Sequence, residues 1–189
     1  MPAQVVTTSL GRPCLLGLIS DTHGGIVNWD NVQPKVAPLF ESVDTILHCG
    51  DVGNYDVLDA LGGIAPVLAL RNTEDPPARG PDLVDGNRVI DVGGTMIGLA
   101  FSLTGPPVEA AVDPGLSFPK VPAGRVGESL FGRAVDVVVF GGTHEDLIAQ
   151  ADGTLFVNPG SPSLAARTTV GLLRIANGIV EARILPVGD

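Results

Sequence analysis

The sequence predicts an α/β sandwich, and three observations carry that prediction. Apolar runs at residues 14–20, 44–48 and 66–70 alternate with helix-permissive stretches at 32–41 and 55–61, a β-α-β-α-β succession that requires a parallel sheet. Beyond residue 88 the signal changes to short strand-like runs joined by Gly93-Gly94, Asp152-Gly153 and Asn177-Gly178, the turn chemistry of antiparallel hairpins. Glycine and proline number 25 and 16 in 189 residues, which suits many short elements joined by tight turns better than a helical bundle.

Residues 1–12 are polar and unpatterned, and are expected to be a flexible or loosely docked lead-in. Residues 13–189, with neither linker nor internal repeat, are then expected to fold as one domain. Residues 14–20 read as a strand buried on both faces. The first helix lies within 32–41 despite Pro34 and Pro38; the second, 55–61, ends at Gly62-Gly63. Strands 44–48 and 66–70 complete the parallel unit. Residues 88–92 and 95–101 pair around Gly93-Gly94, and residues 102–124, with eight Gly or Pro, are expected to form a loop. A short helix at 125–131 leads into strand 135–140, followed by two hairpins, 147–151 with 154–157 and 169–176 with 180–185.

Composition excludes several function classes. Lys plus Arg number 11 against 21 Asp plus Glu, a formal charge of −10, which argues against a sequence-independent nucleic-acid coat and against a polybasic membrane binder. Hydrophobic residues reach 44%, enough for an aliphatic core, whereas 4% aromatics leave no base-stacking platform. Cys14 and Cys49 stand singly, so neither a disulfide scaffold nor a zinc ribbon is expected. With no basic leader and no run of ~18 apolar residues, the expected location is cytoplasmic, away from membranes.

The chemistry concentrates at the C-terminal ends of the strands, where open α/β sheets bind ligands. Ser20-Asp21-Thr22-His23-Gly24 follows the first strand and His48-Cys49-Gly50-Asp51 closes the second. Arg71-Asn72-Thr73-Glu74-Asp75 follows the third, and Gly141-Gly142-Thr143-His144 follows strand 135–140. Each motif alone is ordinary turn chemistry. Together they bring carboxylate and imidazole to one rim, a donor mixture suited to borderline divalent ions.

Those motifs, with Asn158-Pro159-Gly160-Ser161-Pro162, resemble the calcineurin-like metallophosphoesterases, specifically the compact bacterial and archaeal phosphodiesterase branch that includes the retromer subunit Vps29. The resemblance implies a four-layer α/β/β/α sandwich of mixed sheets with a two-metal site on one edge. It implies that Asp21, His23 and His144 bind a first metal, that Asp51 bridges to a second, and that Asn72 binds the second. Asp51, Asn72 and His144 are its catalytic residues, and Asn158 and Gly160 brace the site. The implied cofactor is a divalent metal, Mn²⁺ first, with Fe²⁺, Zn²⁺ or Ni²⁺ as alternatives. A hydroxide on the metal then attacks phosphorus in line.

The match breaks at the second metal. Gly142 stands where the family has the first histidine of Gly-His-x-His, Thr104 stands at another histidine position, and Thr73 replaces a His or Cys beside the substrate. The chain has only three histidines, His23, His48 and His144, so no realignment restores a full set. The expectation is one tight site, with the second weak, absent or completed by Glu74, Asp75, Glu145 or water. His48 is expected to support the site or pack, and Cys49 to pack. Residues 102–124 are either a surface excursion or a lid whose Lys120 and Arg125 reach a phosphate; Arg71, Thr73 and Thr104 are further substrate-binding candidates. The expected function is a phosphoesterase acting on a phosphodiester or small phosphorylated compound. The competing reading is a Vps29-like scaffold of weak or no activity that keeps one metal site. A homo-oligomer is left open.

Overall fold

A computed structural model describes residues 6–78, 80, 82–103 and 123–188. In chain order the elements are β1 (Val6–Leu10), β2 (Cys14–Ile19), α1 (Gln33–Phe40), β3 (Thr45–His48), α2 (Tyr55–Gly62), β4 (Val67–Arg71), β5 (Leu83–Asp85), β6 (Arg88–Val92) and β7 (Thr95–Ala100). They continue with α3 (Ala123–Phe131), β8 (Val137–Phe140), β9 (Asp146–Ala151), β10 (Thr154–Pro159), β11 (Thr169–Ala176) and β12 (Ile179–Pro186). One sheet runs β12-β11-β2-β3-β4-β5 and the other β1-β6-β7-β8-β10-β9, both mixed.

Three apolar clusters define four layers. Leu16, Leu18, Leu47 and Leu70 of the first sheet meet Ile97, Leu99, Val137 and Val139 of the second in the central cluster. On the far side of the first sheet, Ile19 and Ile46 pack with Val36 and Phe40 of α1 and Val57 and Leu61 of α2. On the far side of the second, Val138, Phe140 and Phe156 lie under Val126, Leu130 and Phe131 of α3. Neighbouring residues of one strand thus face different cores, which is why these strands read as unbroken apolar runs. Each large aliphatic or aromatic side chain buried this way contributes about 1.5–3 kcal/mol. The layering is the α/β/β/α sandwich that the resemblance implies.

Local chemistry accounts for the helices. Pro34 sits in the first turn of α1, where no N–H is needed, although Pro38 lies inside the helix. Asn54 caps α2 by accepting from the Val57 N–H.

The flexible lead-in is corrected at Val6–Leu10. These residues form edge strand β1, paired in parallel with Arg88–Val92. Its side chains alternate between half-buried and exposed, so it is held by backbone hydrogen bonds and one shallow face, and Val-Thr-Thr-Ser-Leu carries no apolar run to announce it. Strand β5, three residues long, also went unforeseen. Residues 104–122, including Thr104, Lys120 and most of the expected loop or lid, lie outside the described residues.

Candidate metal centre

Three parallel strand ends converge on one point. Asp21 and His23 follow β2, Asp51 follows β3 and His144 follows β8, and donor atoms of these four residues all lie within 4.8 Å of one another. His23 Nε2 is 3.1 Å from His144 Nε2 and 3.7 Å from Asp51 Oδ2, while His144 Nε2 is 3.8 Å from Asp21 Oδ1. Two imidazoles and two carboxylates aimed at a shared centre are a donor set for a borderline divalent cation.

The backbone of the four residues is unusual in the same way. Asp21, His23, Asp51 and His144 have φ of 54°, 47°, 54° and 61°. Among the described non-glycine residues only Asp152 and Asn177 share this left-handed region, and both sit in hairpin turns. A side chain there costs roughly 1–2 kcal/mol. Cross-loop bonds hold the conformation: Asp21 N–H donates to Gly50 O at 3.1 Å, His23 N–H to Asp51 O at 2.9 Å and Gly24 N–H to Val52 O at 2.9 Å.

Asp21 and His144 are also oriented from outside the group. Asp21, with no solvent exposure, accepts from Gly142 N–H on both carboxylate oxygens, at 3.2 and 3.0 Å. Gly142 has φ of 80°, and a methyl group at Gly141 would run into Ser20 Oγ, so two glycines let the backbone reach the carboxylate. His144 Nδ1 lies 2.7 Å from the carbonyl oxygen of Leu164. A carbonyl only accepts, so Nδ1 carries a proton and Nε2 is the nitrogen turned toward the centre and available to a cation. Burial is the first cause that raises the Asp21 and Asp51 carboxyls above their usual range, with Gly142 N–H opposing it at Asp21 and His23 opposing it at Asp51. A buried and a half-buried carboxylate held this close together are what a bound cation would relieve.

Asn72 sits at the other side of Asp51. Its Oδ1 accepts from the N–H groups of Glu74 and Asp75, at 2.8 and 2.9 Å, and its Nδ2 donates to Asp51 Oδ1. Asp75 Oδ2 accepts from Asn72 N–H at 3.0 Å and its Oδ1 from Gly53 N–H at 2.9 Å, so both oxygens tie the two loops together. Glu74 and Glu145 are exposed, and neither they nor Asp75 belong to the four-residue donor group. Asn158 Oδ1 accepts from Gly160 N–H and its Nδ2 donates to Thr143 Oγ1, which steadies the loop before His144.

An open cleft of about 890 Å³ runs from Asp51 and Asn72 past Arg71, Thr73, Asp85 and Phe101. The Arg71 guanidinium is already engaged, Nε with Pro76 O at 2.6 Å and Nη1 with Asp85 Oδ1 at 2.5 Å. Thr73 is exposed on the cleft wall. Arg125 falls within α3. His48 and Cys49 are fully buried outside the donor group, and burial, then Asp21, pushes the Cys49 thiol well up, so it packs rather than reacts. Sequence reasoning missed three contacts: Thr22 Oγ1 with His48, Ser161 Oγ with the Asp21 carbonyl at 2.8 Å, and Leu164 O with His144. Thr22, His48 and Ser161 had a signal in their motifs, whereas Leu164 had none.

Fold and donor set together define a metal-binding α/β sandwich. The family model described as the calcineurin-like phosphoesterase superfamily domain matches residues 15–178, and the chain belongs to that superfamily. A protein named "Probable metallophosphoesterase" from Methanocaldococcus jannaschii is 28% identical over 184 residues, covering 95% of this chain and 85% of its own. The solved structure of Vacuolar Protein Sorting 29 from Cryptosporidium parvum superposes with a TM-score of 0.68 at 19% identity, covering 94% of this chain and 99% of that one. A structure described as a novel archaeal phosphodiesterase gives 0.62 at 19% identity, covering 90% and 99%. The two structural likenesses show the shared fold. No helix among the described residues is long and apolar enough to cross a membrane.

Proposed function

We propose that this chain is a cytoplasmic, metal-dependent phosphoesterase that hydrolyses a phosphodiester or small phosphorylated compound at a centre holding one tight divalent cation, Mn²⁺ foremost. The observation that carries the reading is the convergence of Asp21, His23, Asp51 and His144 within 4.8 Å. A divalent cation held there supplies Lewis acidity toward a phosphoryl oxygen and acidifies water. Asp21 and His144 hold their donor atoms ready through Gly142 N–H and Leu164 O. Asp51 turns Oδ2 toward the centre while Asn72 Nδ2 hydrogen-bonds Oδ1, the oxygen a bridging role would need. With its own oxygen occupied by two backbone N–H groups, Asn72 supports a weak or absent second cation and a role as a fixed donor toward Asp51 and a phosphate. With Arg71 paired to Asp85, the cation supplies attraction for an anionic substrate.

The test has two parts. Purified protein desalted after Mn²⁺ loading should retain one ion per chain, and two tightly held ions would overturn the single-cation reading. Hydrolysis of an activated aryl phosphodiester with added Mn²⁺ should disappear in Asp51→Asn. A wild-type protein that binds the ion but is inert toward phosphomonoesters and phosphodiesters with Mn²⁺, Ni²⁺ and Mg²⁺ would favour the scaffold reading, which the missing second-site histidines motivate.

A further inference from the structure

His48 is a fully buried imidazole that the reaction above does not use. Its Nδ1 lies 3.2 Å from the Gly50 N–H and its Nε2 2.9 Å from Thr22 Oγ1. An N–H only donates, so Nδ1 is the bare nitrogen and the ring proton resides on Nε2. His48 therefore donates to Thr22 Oγ1, which in turn donates to the carbonyl of Val52 at 3.0 Å. Burial keeps the ring neutral, with its pKa pushed down to about 3 by desolvation and then by His23.

This chain of bonds joins the two donor loops, with Thr22 in one and both of its ends in the other. Thr22 sits between Asp21 and His23, Gly50 directly precedes Asp51, and Val52 directly follows it. All three of those donor residues have left-handed backbone and need their loops held. We propose that His48 and Thr22 form a positioning pair, a hydrogen-bonded strut that fixes the Asp21–His23 loop against the Asp51 loop and so sets the spacing at which both loops can grip one cation. Neither residue touches the cation or the substrate; they act through the loops. The inference rests on the metal-centre reading.

Thr22→Val removes the hydroxyl at nearly constant volume and strands the His48 N–H; Thr22→Ser keeps it. Co²⁺ binding followed by its visible absorption, with thermal unfolding in EDTA measured beside it, should show a loss of affinity of about 10–100-fold in Thr22→Val, the range for groups that orient metal-bound side chains. Thr22→Ser should stay within about threefold of wild type, because it restores the Oγ bonds alone. In the metal-free wild-type protein, imidazole ¹⁵N spectra should show His48 as the neutral Nε2–H form throughout pH 5–8, and Thr22→Val should perturb that signature. Unchanged Co²⁺ affinity in a folded Thr22→Val, or a His48 ring protonated on Nδ1, would overturn the proposal. His48→Gln provides a second break in the strut if Thr22→Val does not fold. A wild-type protein that binds no Co²⁺ would instead defeat the metal-centre reading itself.

Discussion

His23 Nε2 and His144 Nε2 face each other at 3.1 Å, although they follow strands of different sheets and lie 121 positions apart. Because His144 Nδ1 donates to Leu164 O, Nε2 is the nitrogen left to meet a cation that both rings could share. Saturating Mn²⁺ should therefore raise the melting temperature. At 100 times the dissociation constant the linkage is about 2.7 kcal/mol, worth roughly 5–10 °C in a chain of this size. Thermal unfolding with and without Mn²⁺ should show that shift in the wild type and lose it in His144→Ala.

Asp21 and Asp51 make the metal-free protein respond to pH in a defined direction. Burial raises both carboxyls, so above pH 3.8 the folded chain holds protons that the unfolded chain has released. Stability contributed by these groups is present at acid pH and falls as pH rises through their folded values. In EDTA, Asp51→Asn should melt higher than wild type at pH 7 and show a flatter decline with pH. With Mn²⁺ the order should reverse, because the variant has lost a donor. An Asp51→Asn protein less stable than wild type in EDTA would contradict the account.

His48 imposes the opposite slope. Its folded pKa of about 3 lies below the unfolded value of 6.5, so between those values only unfolded chains take up a proton. Its contribution is intact above pH 6.5 and is lost as pH falls toward 3. Urea titrations at pH 7 and pH 4.5 should show a smaller acid-induced loss in His48→Gln than in wild type. Equal losses would mean that His48 titrates in the folded chain.

The sandwich was legible because adjacent residues such as Ile46 and Leu47 both face apolar layers, which writes each central strand as a continuous run ended by polar residues. Those abrupt ends also made Asp21, His23, Asp51 and His144 readable as a set. Strand β1 escaped because an edge strand held by backbone pairing needs no apolar run, and Thr7, Thr8 and Ser9 look like a tail. The groups that orient the centre escaped for a different reason. Leu164 acts through its carbonyl, so its side-chain identity carries no sign of the role, and the glycine at 142 marks only a backbone requirement, not the carboxylate its N–H meets.

Gly142 also bears on whether one substitution could build a second site. With φ of 80° and an added Cβ 3.3 Å from both Phe101 O and Ser102 Cβ, this position is built for glycine. Gly142→His should leave metal stoichiometry at one and cost roughly 1–2 kcal/mol, a fall of about 2–8 °C. Metal analysis paired with a melting curve checks both halves. A second ion held through desalting would show that Gly142 is the sole obstacle.

Ser161 offers the sharpest separation of brace from ligand. Buried completely, its Oγ donates to the Asp21 carbonyl at 2.8 Å and accepts from the Leu164 N–H at 3.0 Å, so one hydroxyl ties the first donor loop to the residue whose carbonyl holds His144. Ser161→Ala breaks both links while every donor atom remains. Losing buried hydrogen bonds of this kind costs about 1–3 kcal/mol, and the loosened His144 should weaken Co²⁺ binding by roughly 10–100-fold. A residue that merely stabilised the fold would lower the melting temperature in EDTA without moving that affinity. The coupling predicted here requires both to move, with the change in binding surviving when affinities are compared well below either protein's melting temperature.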